Sequence, residues 1–494
     1  MNAVLSYSLT QPVNRFISTT KKLLIDGAWV PAASGKTFPV YNPATSEVIA
    51  QVAEGDREDI DRAVKAARRA FESGPWHAMS PSQRSKLIWR IGDSILDHLD
   101  EFAELESLDN GKPFAVAKVA DVPLAADMFH YMAGWATKHH GVTIPLGMQY
   151  HSYTRPEPVG VVGQIIPWNF PLLMAAWKLA PALTTGCTVV LKVAEETPLS
   201  ALRLGELLLE VLPKGVVNIV TGFGETAGAA LAAHLDVDKV AFTGSTEVGR
   251  LIVRAAANDL KKVSLELGGK SPNIILKDAD LEVAIPGAAS AIFFNHGQCC
   301  CAGSRLYVEQ GVFDQVVDGV AEAAKKLKIG PGLDPETEMG PMVSEIQRNR
   351  VRGYLESGFK EGARAVVGGK VKEGRGYFVE PTVLVDTKPE MKVIQEEIFG
   401  PVVTAMPFKE LDDRLIAQAN ATIYGLAAGI WTRDLSKAHG LAAQLKAGTV
   451  WINCFNVFDS ALPFGGYKQS GWGREMGEAV LEHYTETKAV TIKL

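Results

Sequence analysis

This 494-residue sequence predicts an α/β fold, a doubly wound parallel sheet followed by a second α/β unit. Three observations carry that expectation. From about residue 158 onward, short β-branched runs alternate with segments of helical length, the order expected of parallel strands joined by helical crossovers. Hydrophobic residues make up 47% of the chain and charged residues 21%, enough apolar surface for a large core. The length suits two to four structural units at roughly 150 residues each.

The elements follow in chain order. The first 22 residues, MNAVLSYSLTQPVNRFISTTKK, lack acids and carry Arg15, Lys21 and Lys22. They resemble a weak transit peptide without the apolar run of a signal sequence, so a disordered leader is expected. EDIDRAVKAARRAFES and RSKLIWRIGDSILDHLDEFAELES have helical periodicity and should pack on the outside. Residues 137–156 and the tail HYTETKAVTIKL alternate like strands that lack local partners. Such strands commonly pair across a subunit interface.

The strands expected in the first unit are 161–166, 188–192, 216–220, 239–244 and 262–267. Between them lie segments such as TPLSALRLGELLLEVL, where Thr197 suits a cap and Pro198 the first turn. Residues 172–191, LLMAAWKLAPALTTGCTVVL, are apolar enough to suggest a membrane span. Lys178, Pro181 and Gly186 interrupt them, and a helix followed by a buried strand fits better. The second series runs from about residue 273 through NIILKDAD, LEVAIPGAASAIFFNHG, RLYVEQ, VFDQVVDGVAEAAKKLKIG, AAGIWT and GTVWINC.

A net charge of −6 supplies no basic field for nucleic acid. Five cysteines, three of them contiguous, form no disulfide framework and indicate a reducing, cytoplasmic setting. In open parallel sheets ligands collect at the carboxyl ends of the strands. Here that rule selects Asn169, Lys192 with Glu195, the turns at Gly222 and Gly224 and at Gly244 and Ser245, and Glu266, all expected to line one crevice.

Each of these has a plain alternative. VTGFGETAG has the wrong spacing for a dinucleotide fingerprint, and an ordinary strand-to-helix turn explains it equally well. FTGSTEVGR places Gly244 and Ser245 before a helix whose free N–H groups suit a pyrophosphate. In PWNFP, two prolines hold Asn169, which then suits an oxyanion donor or a turn residue bonding its own backbone. Glu266, in the apolar run LELGGK, reads as a base of raised pKa or as a buried partner of Lys178 or Lys270. His296 is expected in a solvated or capping role. In FFNHGQCCCAGSR, adjacent thiols with no further ligand pattern exclude a metal site, and neighbour disulfides are strained. A nucleophile flanked by two small fillers remains, with the choice among Cys299, Cys300 and Cys301 open.

PWNFP, FTGSTEVGR, LELGGKSPNI, FFNHGQCCCAGSR, EEIFGPV and PFGGYKQSGWGREMG together resemble the NAD(P)-dependent aldehyde dehydrogenases, in order and over nearly the whole chain. The chain looks closest to the tetrameric broad-specificity and phenylacetaldehyde-type members. The resemblance implies the aldehyde dehydrogenase fold: a Rossmann-like NAD-binding domain (1–136 and 157–266), a catalytic domain (267–475), and oligomerisation strands (137–156 and 476–494). It implies Cys300 as nucleophile, two residues after Gln298, with Asn169 as oxyanion donor, Glu266 as base, and Lys178 and Glu475 assisting proton transfer.

For the cofactor, the resemblance implies NAD rather than NADP, because Glu195 beside Lys192 would repel a 2′-phosphate. Ile165, Ile166, Trp168, Gly224, Phe242, Gly244, Ser245, Val248, Gln347, Glu397 and Phe399 are the other implied contacts. Phe170, Met174, Trp177, Cys299, Cys301, Phe458 and Phe464 match a substrate tunnel suited to aromatic or apolar aldehydes such as phenylacetaldehyde. The alternatives are betaine aldehyde or short aliphatic aldehydes. Glu266 argues against a CoA-acylating enzyme, Lys192 and Glu195 against a thiol hydrolase, and the intact triad of Cys300, Glu266 and Asn169 against a non-catalytic relative. No metal is expected, and neither nucleic acid nor a membrane as partner; a homotetramer is.

Overall fold

The computed structural model describes residues 9–494. Two large sheets organise the chain. The first has eight strands in the order Gly471–Trp472, Lys262–Glu266, Lys239–Thr243, Val161–Ile165, Thr188–Lys192, Val217–Val220, Leu23–Ile25 and Ala28–Val30. Its five inner strands are parallel and antiparallel strands close each edge. The central ones, Val161–Ile165 and Thr188–Lys192, are buried throughout, as near-continuous apolar runs in a covered parallel sheet should be. The predicted strands all form, each within a residue or so of its expected limits.

The second sheet has seven strands in the order Arg364–Val367, Thr382–Val385, Val402–Phe408, Arg305–Glu309, Pro272–Ile275, Ala427–Trp431 and Thr449–Ile452. All are parallel except Arg364–Val367. The apolar segment after residue 170 forms the helix Pro171–Thr185, every side chain of which is buried, and then the strand Thr188–Lys192. No helix among the described residues is long and apolar enough to cross a membrane.

Four expectations need correction. The leader lies outside the described residues only over 1–8; Gln11–Ile17 is a helix that buries Val13 and Phe16. The helix Leu99–Asp109 does not pack on the outside: Glu104, Glu106 and Asp109 are buried. The reason is tertiary. Glu106 accepts the N–H of Leu172 (3.0 Å) and Asp109 that of Leu199 (3.0 Å), so these carboxylates satisfy free donors at the starts of two neighbouring helices. Thr197 therefore does not cap the helix Leu199–Val211; its hydroxyl donates to the carbonyl of Trp168 at 3.3 Å.

The segments expected to lack local partners pair with each other. Thr485–Lys493 runs antiparallel along Tyr150–Pro158, and Thr143–Ile144 adds a short third strand. The end of the second unit also returns to the first, because Gly471–Trp472 pairs with Lys262–Glu266. That return brings Glu475 close to the carboxyl ends of the first sheet.

Candidate active site

A cavity of about 440 Å³ lies between carboxyl-end loops of the first sheet and segments that mostly lead into strands of the second. One wall is PWNFP, which leaves the strand Val161–Ile165 and enters the helix Pro171–Thr185. More than its prolines holds it. Asn110 Nδ2 donates to the carbonyl of Trp168 (2.8 Å), and Asn295 Nδ2 (3.0 Å) and Lys112 Nζ (3.3 Å) donate to that of Asn169. Lys112 is buried and paired with Glu106 (3.3 Å) and Asp121. The Asn169 amide donates one N–H to the carbonyl of Gln298 at 3.0 Å, leaving the second for a ligand.

The cysteines follow the helix Leu281–Phe293. The chain turns there through two left-handed residues, Asn295 (φ 48°) and His296 (φ 59°). Such non-glycine geometry costs about 1–3 kcal/mol per residue and persists where surroundings fix it. Asn295 Nδ2 also reaches the carbonyl of Gln298 (3.1 Å), whose own side chain accepts the N–H of Val343 (3.0 Å). His296 is not solvated, as expected from sequence, but buried. Burial and the charge of Lys112 push its pKa down to about 3, so it is neutral.

The three thiols differ in setting. Cys299 and Cys301 are buried with their sulfurs 3.3 Å apart, whereas Cys300 is partly exposed in the cavity wall. Contact with Cys299, then burial, holds the Cys300 thiol well above its ordinary range. Gly269 approaches the Cys300 carbonyl so closely that a Cβ would collide with it, which accounts for one glycine of LELGGK.

Glu266 ends the strand Lys262–Glu266, is 5% exposed, and lines the cavity. The alternative pairings fail: Lys178 is in a buried ion pair with Glu475, and Oε2 of Glu266 has no hydrogen-bond partner among the described residues. Burial, then the charge of Glu475, holds its carboxyl well above the usual range. Gly465 leaves it room, since a Cβ there would sit 2.8 Å from Oε1.

On the opposite side, Ser245 caps the helix Thr246–Ala256, its hydroxyl accepting the N–H of Val248 (3.2 Å). Beside it, with Gly244 between them, the buried Thr243 hydroxyl has no partner among the described residues and lines the cavity. Glu397 accepts the N–H of Gly269 (2.8 Å), and burial raises its pKa to about 7. Phe399, left-handed at φ 59°, is held by Gln347 Nε2 donating to its carbonyl (2.7 Å), and Trp168 meets its ring edge-on at 5.2 Å.

Of the residues expected in one crevice, several line the main cavity and Glu195 lines a neighbouring cleft. Asn169, Gly244, Ser245, Glu266, Gln347, Glu397 and Phe399 line the main cavity. Lys192 bonds Glu195 at 2.8 Å, and Glu195 lines a separate cleft of about 280 Å³ with Phe223 and Ser344. Ile165, Ile166 and Phe242 are buried core residues outside both walls. Gly224 and Val248 are exposed, the N–H of Val248 already taken by Ser245.

The remaining wall is aromatic. Trp177, Phe458 and Phe464 meet pairwise at 5.6–6.2 Å, and Phe170 stacks on Phe294 at 6.1 Å. Met174, Cys299 and Cys301 also line the cavity. Sequence reasoning missed Asp121, Thr243, Phe294, Arg350, Phe455 and Asn456, all lining the cavity. Phe455 and Asn456 follow the strand Thr449–Ile452, whereas other strands of the second sheet face the cavity with the segments that precede them, so the carboxyl-end rule does not single these two out.

Comparison with known proteins agrees with this geometry. The model of the aldehyde dehydrogenase family matches residues 29–490. Human mitochondrial aldehyde dehydrogenase is 54% identical over 476 residues, 96% of this chain and 92% of that one. The mitochondrial benzaldehyde dehydrogenase of Antirrhinum majus is 51% identical over 490 residues, 99% of this chain and 92% of that one. The structure of a Bacillus cereus aldehyde dehydrogenase in complex with NAD+ superposes with a TM-score of 0.98 at 53% identity, covering 99% of each chain. Its sequence pattern, its two sheets and the cavity between them agree with these matches: the chain belongs to the aldehyde dehydrogenase family.

Proposed function

We propose that this NAD-dependent aldehyde dehydrogenase oxidises aromatic and other apolar aldehydes to carboxylic acids, with Cys300 as nucleophile. The observation that carries the reading is the placement of Cys300: partly exposed, in a cavity it shares with the free N–H of Asn169, the unpaired Glu266 and a sleeve of aromatic rings. Benzaldehyde dehydrogenase activity in a 51% identical relative agrees with the aromatic preference.

Glu266 takes the proton of the Cys300 thiol and passes it on, the thiolate adds to the aldehyde carbon, and the carbonyl oxygen becomes an oxyanion. The second N–H of Asn169 and the Cys300 backbone N–H stabilise that charge. Bound NAD would supply the hydride acceptor that collapse of the oxyanion to a thioester requires. Glu266 then takes a proton from water, which attacks the thioester and frees the acid and the thiol. Lys178 and Glu475 hold the charge balance next to Glu266 and provide a route for its proton.

The residues present suit the cofactor. The unpartnered Thr243 hydroxyl, Gly244 and the capped helix at Ser245 form a cradle for a diphosphate. Glu397, Phe399 and Trp168 would hold the nicotinamide end, and Lys192 with Glu195 the adenosine ribose. In this reading residues 1–136 and 157–266 are the NAD-binding domain, 267–475 the catalytic domain, and 137–156 and 476–494 the oligomerisation elements.

The test is NADH formation, without CoA, from propanal, betaine aldehyde, benzaldehyde and phenylacetaldehyde. The aromatic substrates should have the highest kcat/KM. Preference for betaine aldehyde overturns the aromatic assignment, and no NADH from any of the four overturns the reading.

A further inference from the structure

Asn456 is not one of the groups assigned a role above, yet it stands beside the reacting cysteine. It follows the strand Thr449–Ile452 and sits in the left-handed region at φ 56°, where asparagine is among the few tolerated residues. Its Oδ1 accepts the thiol of Cys301 at 3.5 Å, one residue from Cys300. The amide is thus oriented with its oxygen toward Cys301 and its nitrogen away.

That nitrogen is the unusual atom. Nδ2 of Asn456 is buried and has no hydrogen-bond partner among the described residues, while the residue lines the substrate cavity. A buried N–H left unpaired is destabilising, a cost recovered when a ligand supplies the acceptor. Around it the wall is aromatic: Phe455, Phe458, Phe170 and Phe294 share the cavity. A flat ring fits between such faces, and the amide then meets the rim of the ring.

We infer that Asn456 is a specificity-determining residue whose Nδ2 donates to an oxygen substituent, hydroxyl or alkoxy, on the ring of an aromatic aldehyde. The inference rests on the aromatic reading given above. An acceptor on the ring pairs the orphan donor, whereas an apolar substituent of the same size leaves it buried and unpaired.

The test compares methoxy- and ethyl-substituted benzaldehydes, near-isosteres that differ in one acceptor, by kcat/KM with NAD. The wild type should favour the methoxy aldehyde by about tenfold at one or more ring positions. Asn456→Asp keeps size and tolerance of the left-handed backbone but removes the donor, and should abolish that preference. Asn456→Gly, which also accepts the backbone geometry, should abolish it too if the aspartate variant fails to fold. Equal kcat/KM for both aldehydes at every ring position in the wild type, or an unchanged ratio in the variants, overturns the role of Asn456 alone. Turnover of propanal with none of either aromatic aldehyde overturns the aromatic reading and this inference with it.

Discussion

The side-chain amide of Asn169 donates to the carbonyl of Gln298 at 3.0 Å, a bond that ties the loop after the strand Val161–Ile165 to the loop carrying Cys300. One hydrogen bond thus fixes the distance between the proposed oxyanion donor and the nucleophile, each from a different sheet's loops. Asn169→Ala removes both the donor and the tie. It should lower kcat by about 10²–10³-fold, the usual loss for one oxyanion donor. Steady-state kinetics measure this, and an unchanged kcat assigns Asn169 a structural role only.

Cys300→Ala should abolish NADH formation while NAD binding, followed by quenching of protein fluorescence, is retained. Cys299→Ala and Cys301→Ala separate the thiols. Both flanking cysteines are buried and serve as packing, so the single variants should keep turnover. Activity that survives in Cys300→Ala and is lost in Cys299→Ala moves the nucleophile.

The pKa of Glu266 is held up by burial and then by the charge of Glu475, while Lys178 and Arg474 act in the opposite sense. A carboxyl with a raised pKa serves as a base only once pH has risen through that value. Turnover limited by thioester hydrolysis should therefore increase with pH. Glu475→Gln removes the repelling charge and leaves Lys178 unpaired, and both changes lower the pKa of Glu266. The rising limb of the kcat profile should move to lower pH; a limb that stays in place breaks the coupling. Glu266→Gln should give a burst of NADH followed by slow turnover, as thioester accumulates.

Lys112 supports the site from below PWNFP, donating to the Asn169 carbonyl and pairing with the buried Glu106 and Asp121. Lys112→Met leaves two carboxylates without their cation. Breaking a buried pair in this way costs about 3–5 kcal/mol, so the thermal midpoint should fall by several degrees. Lys112→Arg, retaining the charge, should lose less, and equal losses in the two variants remove charge as the cause.

What the sequence made legible follows from how local each signal is. The parallel strands stood out because fully buried strands are continuous apolar runs, and the dissection of residues 172–191 into helix and strand rests on Gly186, which ends the helix in the left-handed region at φ 96°. Asn169 and Glu266 were recoverable because the carboxyl-end rule selects them from strand positions alone. Cys300 was recoverable only through the family pattern, two residues after Gln298: composition excludes metal and disulfide, and the physical difference from its neighbours, its partial exposure, is visible only in three dimensions. Glu106, Asp109 and Lys112 were illegible for another reason. Charged residues at helical spacing read as a solvated face, and their burial depends on helix starts more than 60 residues away in sequence at Leu172 and Leu199. Thr243 and Asn456 needed an inventory of polar atoms without partners, which no sequence pattern provides.

The three-stranded sheet bears on assembly. Thr485–Lys493 pairs on one side with Tyr150–Pro158, and no strand among the described residues covers its other side. An open edge nine residues long is a template for pairing with another chain. The neighbouring arm is apolar as well as exposed: Val142, Leu146 and Met148 are 61%, 52% and 99% accessible. Exposed apolar residues clustered on one arm suit an interface better than solvent. We expect a dimer or tetramer by light scattering at micromolar concentration. Paired substitutions Leu146→Glu and Met148→Glu place like charges on the arm and should shift the mass toward the monomer. These positions lie outside the walls of both clefts, so the dissociated variant also reports whether a single subunit can turn over. A monomeric wild type would refute the assignment of 137–156 and 476–494 to oligomerisation.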